Sequence, residues 1–206
     1  MKRANLLIVI GLIAVVAVTI YSMQGGKSAA EYQEFIANKR KESDEFMKSG
    51  KGSPFLQDSV TFEGLKYFPV NENYNIKARL EPIENKKVVL LATSTGSEQK
   101  YLEYAYAVFD LDGRENKLLI LESMEMGPQR GTLFLAFADE TSGIETYGAG
   151  RYLDVKKVAA AKSIQLDFNL AYNPYCAYTD SFTCPFPPKE NILKVIVAAG
   201  EKSYQH

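Results

Sequence analysis

The sequence predicts a mainly β domain: an antiparallel barrel-like or sandwich sheet, one covering N-terminal helix, and a single transmembrane helix before it. Three observations predict this class. From residue 59 onward, apolar residues repeat with a period of two, as in strands with one solvated face. The predicted strands are short and alternate with turns, which favours an antiparallel sheet. The chain has 13 Tyr and 11 Phe but no Trp, and these aromatic residues favour strands.

The N-terminal segment predicts a membrane anchor. Lys2 and Arg3 precede an apolar run, Leu6 to Ile20, that contains no charged residue. Extended to Met23, a helix would span about 27 Å, close to the hydrocarbon thickness of about 30 Å. A cleaved signal peptide is the alternative, but the nearest small-x-small site, at residues 28–30, lies far from the run. The positive residues before the run predict a single-pass membrane protein with an extracytoplasmic domain, on the periplasmic or extracellular side.

The next segment predicts an amphipathic helix. Ser28 and Glu31 have the spacing of a capping box. A stripe of apolar residues follows, which favours a helix covering the sheet over a partner-binding helix: Tyr32, Phe35, Ile36, Phe46 and Met47. The predicted organisation is an anchor and short linker over 1–27, this helix and a linker over 28–52, and a β-rich domain over 53–206.

Seven segments carry strand patterns: 74–81, 88–92, 101–109, 117–121, 132–138, 164–170 and 192–199. The first alternates apolar and polar residues, as expected of a strand with one wet face. Val88–Ala92 is a continuous apolar run, as expected of a central strand. The Asp112-Gly113 step between the third and fourth segments suits a hairpin.

The composition excludes several function classes. The 206 residues hold one ordinary domain and an N-terminal appendage. The formal net charge of −1 offers no basic face, so nucleic acid is not a predicted partner. The only histidine is His206. A Ser-His-Asp triad, a Cys-His dyad or a His-rich zinc site therefore lacks its usual base or ligand, and no metal or cofactor is predicted.

Polar groups concentrate between residues 147 and 193. Gly148 and Gly150 precede Arg151, but the context of a dinucleotide loop is missing, so a tight turn is favoured. Strand alternation places Asp167 and Asn169 on one face, where Arg151 would pair with Asp167 or hold a carboxylate or phosphate. A solvated sheet face or a structural ion pair is the alternative. The candidate ligand-binding residues are Arg151, Asp167, Asn169, Tyr172, Asn173, Tyr178 and Glu190.

Cys176 and Cys184 are predicted to form a disulfide. Two thiolates without a local His fall short of a tetrahedral metal site, and an extracytoplasmic location favours oxidation. Exposed reactive thiols are the alternative. Closing so short a loop stabilises the fold by about 2.5 kcal/mol. Four prolines restrict the backbone nearby, so residues 171–191 predict a rigid loop against the sheet, where sites are often built.

Four motifs in this region resemble the bacterial and archaeal family called domain of unknown function 1684: residues 148–154, 166–169, 172–178 and 184–191. Shorter pieces near residues 53, 64, 93 and 139 resemble it too, so the resemblance covers about Ser53 to Lys202. Tyr175 departs from the pattern, because the family usually has a second proline there. The resemblance implies a fold unit and no activity.

The predicted function follows from these features. We expect a membrane-anchored extracytoplasmic β domain that binds a small polar or anionic ligand; the predicted partners are the membrane and this ligand. A hydrolase is one alternative, with Asp154, Asp167 or Glu190 converging in a pocket. A structural or scaffolding envelope protein is the other. Whether the protein is an enzyme is left open.

Overall fold

The computed structural model describes residues 28–56 and 61–204. Contacts divide the chain into two compact units, Met1–Phe35 and Ile36–His206. In the first unit the described residues are 28–35, which open helix α1, Ala29–Ser49. All of the strands lie in the second unit.

Helix α1 begins at the predicted capping box. The Ser28 amide donates to Glu31 Oε2 at 2.7 Å, and the Glu31 amide lies 3.3 Å from Ser28 Oγ. These bonds satisfy backbone N–H groups that have no partner inside the helix. In the second unit, Met47 of this helix packs with Phe55 and Tyr178 in a small buried cluster. Met47, which belongs to the predicted apolar stripe, therefore packs against loop residues.

The described residues contain eight strands: β1 (Asn75–Pro82), β2 (Val88–Ala92), β3 (Glu98–Leu111), β4 (Arg114–Ser123), β5 (Leu133–Phe134), β6 (Ala136–Phe137), β7 (Arg151–Tyr152) and β8 (Ser163–Asp167). Six of them form one antiparallel sheet in the order β5-β4-β3-β1-β8, with β2 pairing to β3. Strands β6 and β7 form a separate antiparallel pair. The antiparallel, mainly β class with one N-terminal helix is thus confirmed.

The long hairpin of β3 and β4 confirms the turn predicted at Asp112-Gly113. Leu111 pairs with Arg114 across it. Both turn residues have positive φ, 54° at Asp112 and 70° at Gly113. Such a turn matches the right-handed twist of the two strands. The hairpin contributes Phe109, Leu118 and other residues to the main core.

The strand predicted over 192–199 does not form a ladder with a neighbouring strand. Its apolar residues Val195, Val197 and Ala199 are buried in the main core, as the pattern indicates. Its backbone, however, bonds to side chains: the Val197 amide donates to Asp139 Oδ1 at 3.2 Å, and Val197 and Ala199 carbonyls accept from Arg151. Two buried charged side chains, Asp139 and Arg151, therefore bond to the backbone of Val197 and Ala199, where the sequence predicts a strand.

The transmembrane part of the predicted fold class requires correction. Among residues 28–56 and 61–204, no helix has the length and apolar character needed to cross a bilayer. The anchor predicted over residues 1–27 lies outside the described residues. The fold class is corrected to a mainly β antiparallel fold with one N-terminal helix, and a single-pass membrane location is not supported.

Candidate functional site

Arg151 is fully buried at the start of β7 and bonds to protein groups. Its Nη2 donates to Asp139 Oδ2 and to the Val197 carbonyl, both at 2.9 Å. Its Nη1 donates to the Ala199 carbonyl and lies 3.4 Å from the Glu201 carbonyl. Burial lowers the pKa of the guanidinium, and Asp139 opposes that shift. Arg151 therefore joins the Asp139 loop to the C-terminal segment, and its ionic partner is Asp139 rather than Asp167.

The predicted tight turn before Arg151 requires glycine at position 150. Gly150 has a φ of +88°, and a Cβ there would lie 2.5 Å from the Phe137 carbonyl oxygen. A side chain would thus be strained and would also clash with β6. This close approach places Arg151 beside Phe137, with the guanidinium carbon 5.2 Å from the ring centre.

Asp167 and Asn169 lie together, but in a turn instead of on a strand face. Strand β8 ends at Asp167, whose side chain accepts from the Asn169 amide and so caps the 3-10 turn Phe168–Leu170. Asn169 is fully buried; its Oδ1 accepts from the Asn71 amide at 2.9 Å, and its Nδ2 donates to the Asn71 carbonyl at 2.8 Å. These bonds join two loops. Glu190 is exposed in another 3-10 turn, Lys189–Asn191.

Asn173 and Tyr178 converge on a buried carboxylate that the sequence analysis did not single out, Glu201. Tyr178 Oη donates to Glu201 Oε1 at 2.5 Å, and Asn173 Nδ2 donates to the same oxygen at 2.8 Å. The backbone N–H of Asn173 donates to Glu201 Oε2 at 3.1 Å. Burial raises the pKa of Glu201 to about 7, although these bonds and Arg151 act in the opposite direction. A single acidic residue after an apolar segment gives no sequence signal of burial.

Glu201 lines a cavity of about 440 Å³ between α1 and the loops, which we call the helix-side cavity. Its other polar lining residues include Arg40, whose guanidinium carbon lies 4.5 Å from the centre of the Tyr67 ring. Its apolar lining includes Leu65 and Leu170. The cavity thus combines charged and apolar groups.

A second cavity, of about 460 Å³, is lined by aromatic side chains, and we call it the aromatic cleft. Its aromatic residues are Tyr101, Phe134, Tyr152, Tyr172, Tyr175 and Phe182. Its acidic residues are Glu125 and Asp154. Among the lining residues that the structure describes, none is Lys, Arg or His. The cleft is therefore an aromatic site with an excess of negative charge.

Ring contacts hold the walls of the aromatic cleft. Tyr101 stacks on Phe134 with 4.9 Å between ring centres, and Phe134 meets the Tyr152 ring edge to face at 5.0 Å. Tyr175 contacts Phe182 in the same manner at 5.0 Å. Such pairs contribute beyond the area they bury, by about 0.5–1.5 kcal/mol each. The aromatic rings therefore hold one another in defined orientations.

The tyrosine hydroxyls of the cleft donate to fixed acceptors. Tyr152 Oη donates to the Pro185 carbonyl at 2.6 Å, and Tyr172 Oη donates to Asp154 Oδ1 at 2.9 Å. Burial raises the pKa of Tyr101 to about 12 and raises those of Tyr152 and Tyr172 further. These phenols are therefore uncharged near neutral pH.

The predicted disulfide between Cys176 and Cys184 is present in the structure and closes one wall of the cleft. The Cα atoms of the two residues are 6.2 Å apart. Cys184 itself lines the cleft, together with Tyr175 and Phe182 from the same loop. Ser94 holds the other side of the loop, where its Oγ accepts from the Cys184 amide at 3.1 Å. The rigid loop predicted over residues 171–191, which the disulfide closes, thus forms part of the cleft.

The structure brings the predicted site residues together only in part. Tyr172 lines both cavities, and Asn173 and Tyr178 bond to Glu201 beside one of them. Asn169 lines the helix-side cavity. Arg151, Asp167 and Glu190 are absent from the described lining of both cavities. Among residues 28–56 and 61–204, no group of three or more His, Cys, Asp and Glu has the arrangement of a metal site.

The fold and the cleft together define a mainly β domain in which a disulfide-closed loop forms one wall of an aromatic site. The chain belongs to the family described as Protein of unknown function (DUF1684), which it matches over residues 60–202. It is also similar to an uncharacterised protein of Haloarcula marismortui solved by solution NMR, with 35% sequence identity and a TM-score of 0.63. That alignment covers 84% of this chain and 95% of the other. No curated protein matches the chain.

Proposed function

We propose that the protein binds a small organic cation, such as an alkylated ammonium group, in the aromatic cleft. One observation carries the proposal: six aromatic residues and two carboxylates line the cleft, while none of its described lining residues is basic. The predicted anionic ligand relied on Arg151, which is fully buried and bonded to protein groups. The cleft is negatively charged, so it favours a cationic ligand over an anionic one.

The chemistry of the lining supports this ligand class. A cation over an aromatic face gains about 0.5–1 kcal/mol at an exposed site and about 2 kcal/mol where water is excluded. Phenols that remain protonated keep their electron-rich faces without an added negative charge. Glu125 and Asp154 add long-range attraction, which is stronger beside low-dielectric walls than in bulk water. An alkylated ammonium has a diffuse charge and an apolar surface, so it suits such walls.

The rigidity of the cleft also favours binding. Contacts between rings orient Tyr101, Phe134 and Tyr152 before a ligand enters, and the disulfide restrains the loop that carries Tyr175. Residues ordered in advance do not lose further conformational freedom on binding.

Calorimetric titration of the full chain with choline and with 3,3-dimethylbutan-1-ol tests the proposal. The second compound has nearly the same shape but carries no charge. We expect choline to bind and the neutral alcohol to bind at least about tenfold more weakly, since about 1.4 kcal/mol of cation recognition corresponds to that ratio. Equal affinity for the two compounds, or no binding of choline, would contradict the proposal.

A matched pair of variants locates the binding. Glu125→Gln removes one cleft carboxylate and should weaken choline binding, with little effect on the neutral alcohol. Glu115→Gln is the control, because Glu115 is an exposed residue of β4 outside the cleft lining. A loss of choline affinity in both variants alike would point to a general charge effect.

Acid–base catalysis is the second candidate function. The observation that favours it is the carboxyl of Glu201, whose pKa burial raises to about 7, in a cavity that Asp154 also lines. A carboxyl that titrates near neutral pH is suited to proton transfer. A panel of ester and glycoside substrates tests this candidate. Turnover by the wild-type protein that is lost in Glu201→Gln would support it, and no turnover of any substrate would count against it.

A further inference from the structure

We infer that the ligand of the aromatic cleft is an elongated dication, a diammonium compound with one cationic group at each end of an apolar chain. One cationic group lies beside Glu125 and the other beside Asp154. This inference rests on the proposed function, and it narrows the ligand from a single organic cation to a molecule with two.

The two carboxylates of the cleft belong to separate strands of the fold. Glu125 follows β4, and Asp154 follows β7. The segment 133–137 lies between these two strands, because Phe134 pairs with β4 and Ala136 pairs with β7. Neighbouring strands are about 4.8 Å apart, so about 10 Å separates the backbones that carry the two acidic residues.

The two carboxylates also reach toward opposite edges of this group of strands. Glu125 Oε1 accepts from the backbone N–H of Lys100 in β3, at 3.3 Å, and β3 pairs with β4 on the side away from β5. Asp154 Oδ1 accepts from the Tyr172 hydroxyl at 2.9 Å, and the Tyr172 backbone bonds to β7 on the side away from β6. One molecule must therefore be elongated to reach both carboxylates.

A continuous row of four aromatic rings crosses the cleft. The Tyr101 and Phe134 ring centres are 4.9 Å apart, those of Phe134 and Tyr152 are 5.0 Å apart, and those of Tyr152 and Tyr172 are 6.0 Å apart. Such a row offers an apolar surface to a hydrocarbon chain and ring faces to the ammonium groups at its ends.

The carboxylates lie at the two ends of this row. Burial raises the pKa of Tyr101 to about 12, and the charge of Glu125 adds to that rise. Burial also raises the pKa of Tyr172, and the charge of Asp154 adds to it. Each carboxylate therefore lies close to a terminal ring of the row, where it would face one end of the ligand.

The charges of Glu125 and Asp154 have no counter-charge in the cleft. Their hydrogen-bond donors, a backbone N–H and a phenol, are neutral. The ion pairs among the described residues involve other carboxylates, and the described lining of the cleft has no basic residue. Two separated negative charges match a ligand with two separated positive charges.

Two series of probes test the inference by calorimetry on the full chain. The first contains bis(trimethylammonium) alkanes with a short, a medium and a long methylene chain. In the second, a neutral tert-butyl group of the same shape replaces one trimethylammonium group. A short dication should bind about twofold more tightly than its monocation, because either of its ends can enter the site. At the length that reaches both carboxylates, this ratio should rise to about five- to tenfold, since the second cation gains a ring face and a carboxylate.

Two variants and a matched control locate the two ends. In Glu125→Gln and in Asp154→Asn, the dication-to-monocation ratio at the long length should fall to about twofold. Both residues are exposed, and Asn keeps an oxygen that can accept from the Tyr172 hydroxyl. Glu115→Gln is the control, because Glu115 is exposed on β4 and does not line the cleft. This variant should keep the wild-type ratio.

The outcomes separate the two proposals. Monocations that bind, with a ratio of about twofold at every length, would overturn the dication inference and leave the organic-cation site intact. Failure of every probe to bind would overturn the proposed function itself. A high ratio that only one of the two substitutions lowers would also overturn the inference, since the second cation would then lie elsewhere. If a variant does not fold, the length series on the wild-type protein still decides.

Discussion

Arg151 and Asp139 form an ion pair in which neither side chain has any exposed surface, with 2.9 Å between Nη2 and Oδ2. The same guanidinium bonds to the carbonyls of Val197 and Ala199, and the same carboxylate accepts from the amides of Thr141 and Val197. The pair therefore connects the loop after β6, strand β7 and the C-terminal segment. Glu201 follows that segment and lines the helix-side cavity.

Removal of one member of this pair should destabilise the fold strongly. We expect Arg151→Met to lower the free energy of unfolding by about 3–5 kcal/mol, because it leaves the carboxylate of Asp139 buried without its counter-charge. Urea denaturation measures the change. Arg79→Met is the control, since Arg79 forms an exposed ion pair with Glu81, and such pairs contribute about 0–1 kcal/mol. Equal losses of unfolding free energy in the two variants would show that the buried pair stabilises the fold no more than an exposed pair does.

Stability should fall as Glu201 ionises. Its folded-state pKa of about 7 exceeds the ordinary value of 4.5, so the folded protein holds this proton more tightly than the unfolded chain does. The free energy of unfolding should therefore decrease between about pH 4.5 and pH 7, by about 3 kcal/mol from this group, and level off above pH 7.

Substitution of Glu201 isolates this contribution. In Glu201→Gln the pH dependence between pH 4.5 and 7 should be reduced, whatever the absolute stability of the variant. Chemical denaturation at several pH values measures it. Glu140→Gln is the control, because Glu140 is an exposed acidic residue. An unchanged pH dependence in Glu201→Gln would contradict the assignment of the raised pKa to Glu201.

The Cys176–Cys184 disulfide should support both stability and the cleft. In Cys176→Ser/Cys184→Ser we expect a loss of about 2.5 kcal/mol, since the loop between the cysteines is short. Choline binding should weaken, because Tyr175 and Phe182 lie on the loop that the disulfide restrains. Thermal unfolding with and without a reductant measures the first effect. The reductant should lower the unfolding temperature of the wild type and leave that of the double variant unchanged.

Local patterns in the sequence predicted local structure correctly. The capping box of Ser28 and Glu31 and the turn at Asp112-Gly113 both depend on residues within three positions of each other. The disulfide, whose two cysteines are eight positions apart, is also predicted from the sequence. In each case the interacting residue types and their spacing contain the physical information needed.

Longer-range features could not be predicted in this way. The alternation over 164–170 indicates a strand, but Asp167 caps a turn and ends β8 there. Apolar periodicity reports only which residues are buried, so it could not show that Arg151 and Asp139 would bond to the backbone of 197–199. The aromatic cleft takes residues from between positions 99 and 185. Only the packing of the whole domain brings such residues together.

Tyr172 allows the contribution of an aromatic ring to be separated from that of its hydroxyl. The ring lines both cavities and meets the Tyr152 ring at 6.0 Å, while the hydroxyl donates to Asp154 Oδ1. In Tyr172→Phe the ring remains and Asp154 loses a donor that partly offsets its charge. Choline affinity should therefore stay within about twofold of the wild type or increase, because the ring supplies most of the cation–π attraction.

In Tyr172→Leu the side chain stays apolar but its π face is lost, so choline should bind about five- to tenfold more weakly, as for about 1 kcal/mol of cation–π attraction. Tyr106→Leu is the matched control, since the Tyr106 ring lies under the Lys117 ammonium, at 4.0 Å, and does not line the cleft. Calorimetric titration of the three variants measures these changes. If Tyr172→Leu binds choline as tightly as Tyr172→Phe does, the aromatic face of Tyr172 does not recognise the cation, and the attraction must come from the other rings of the cleft or from its carboxylates.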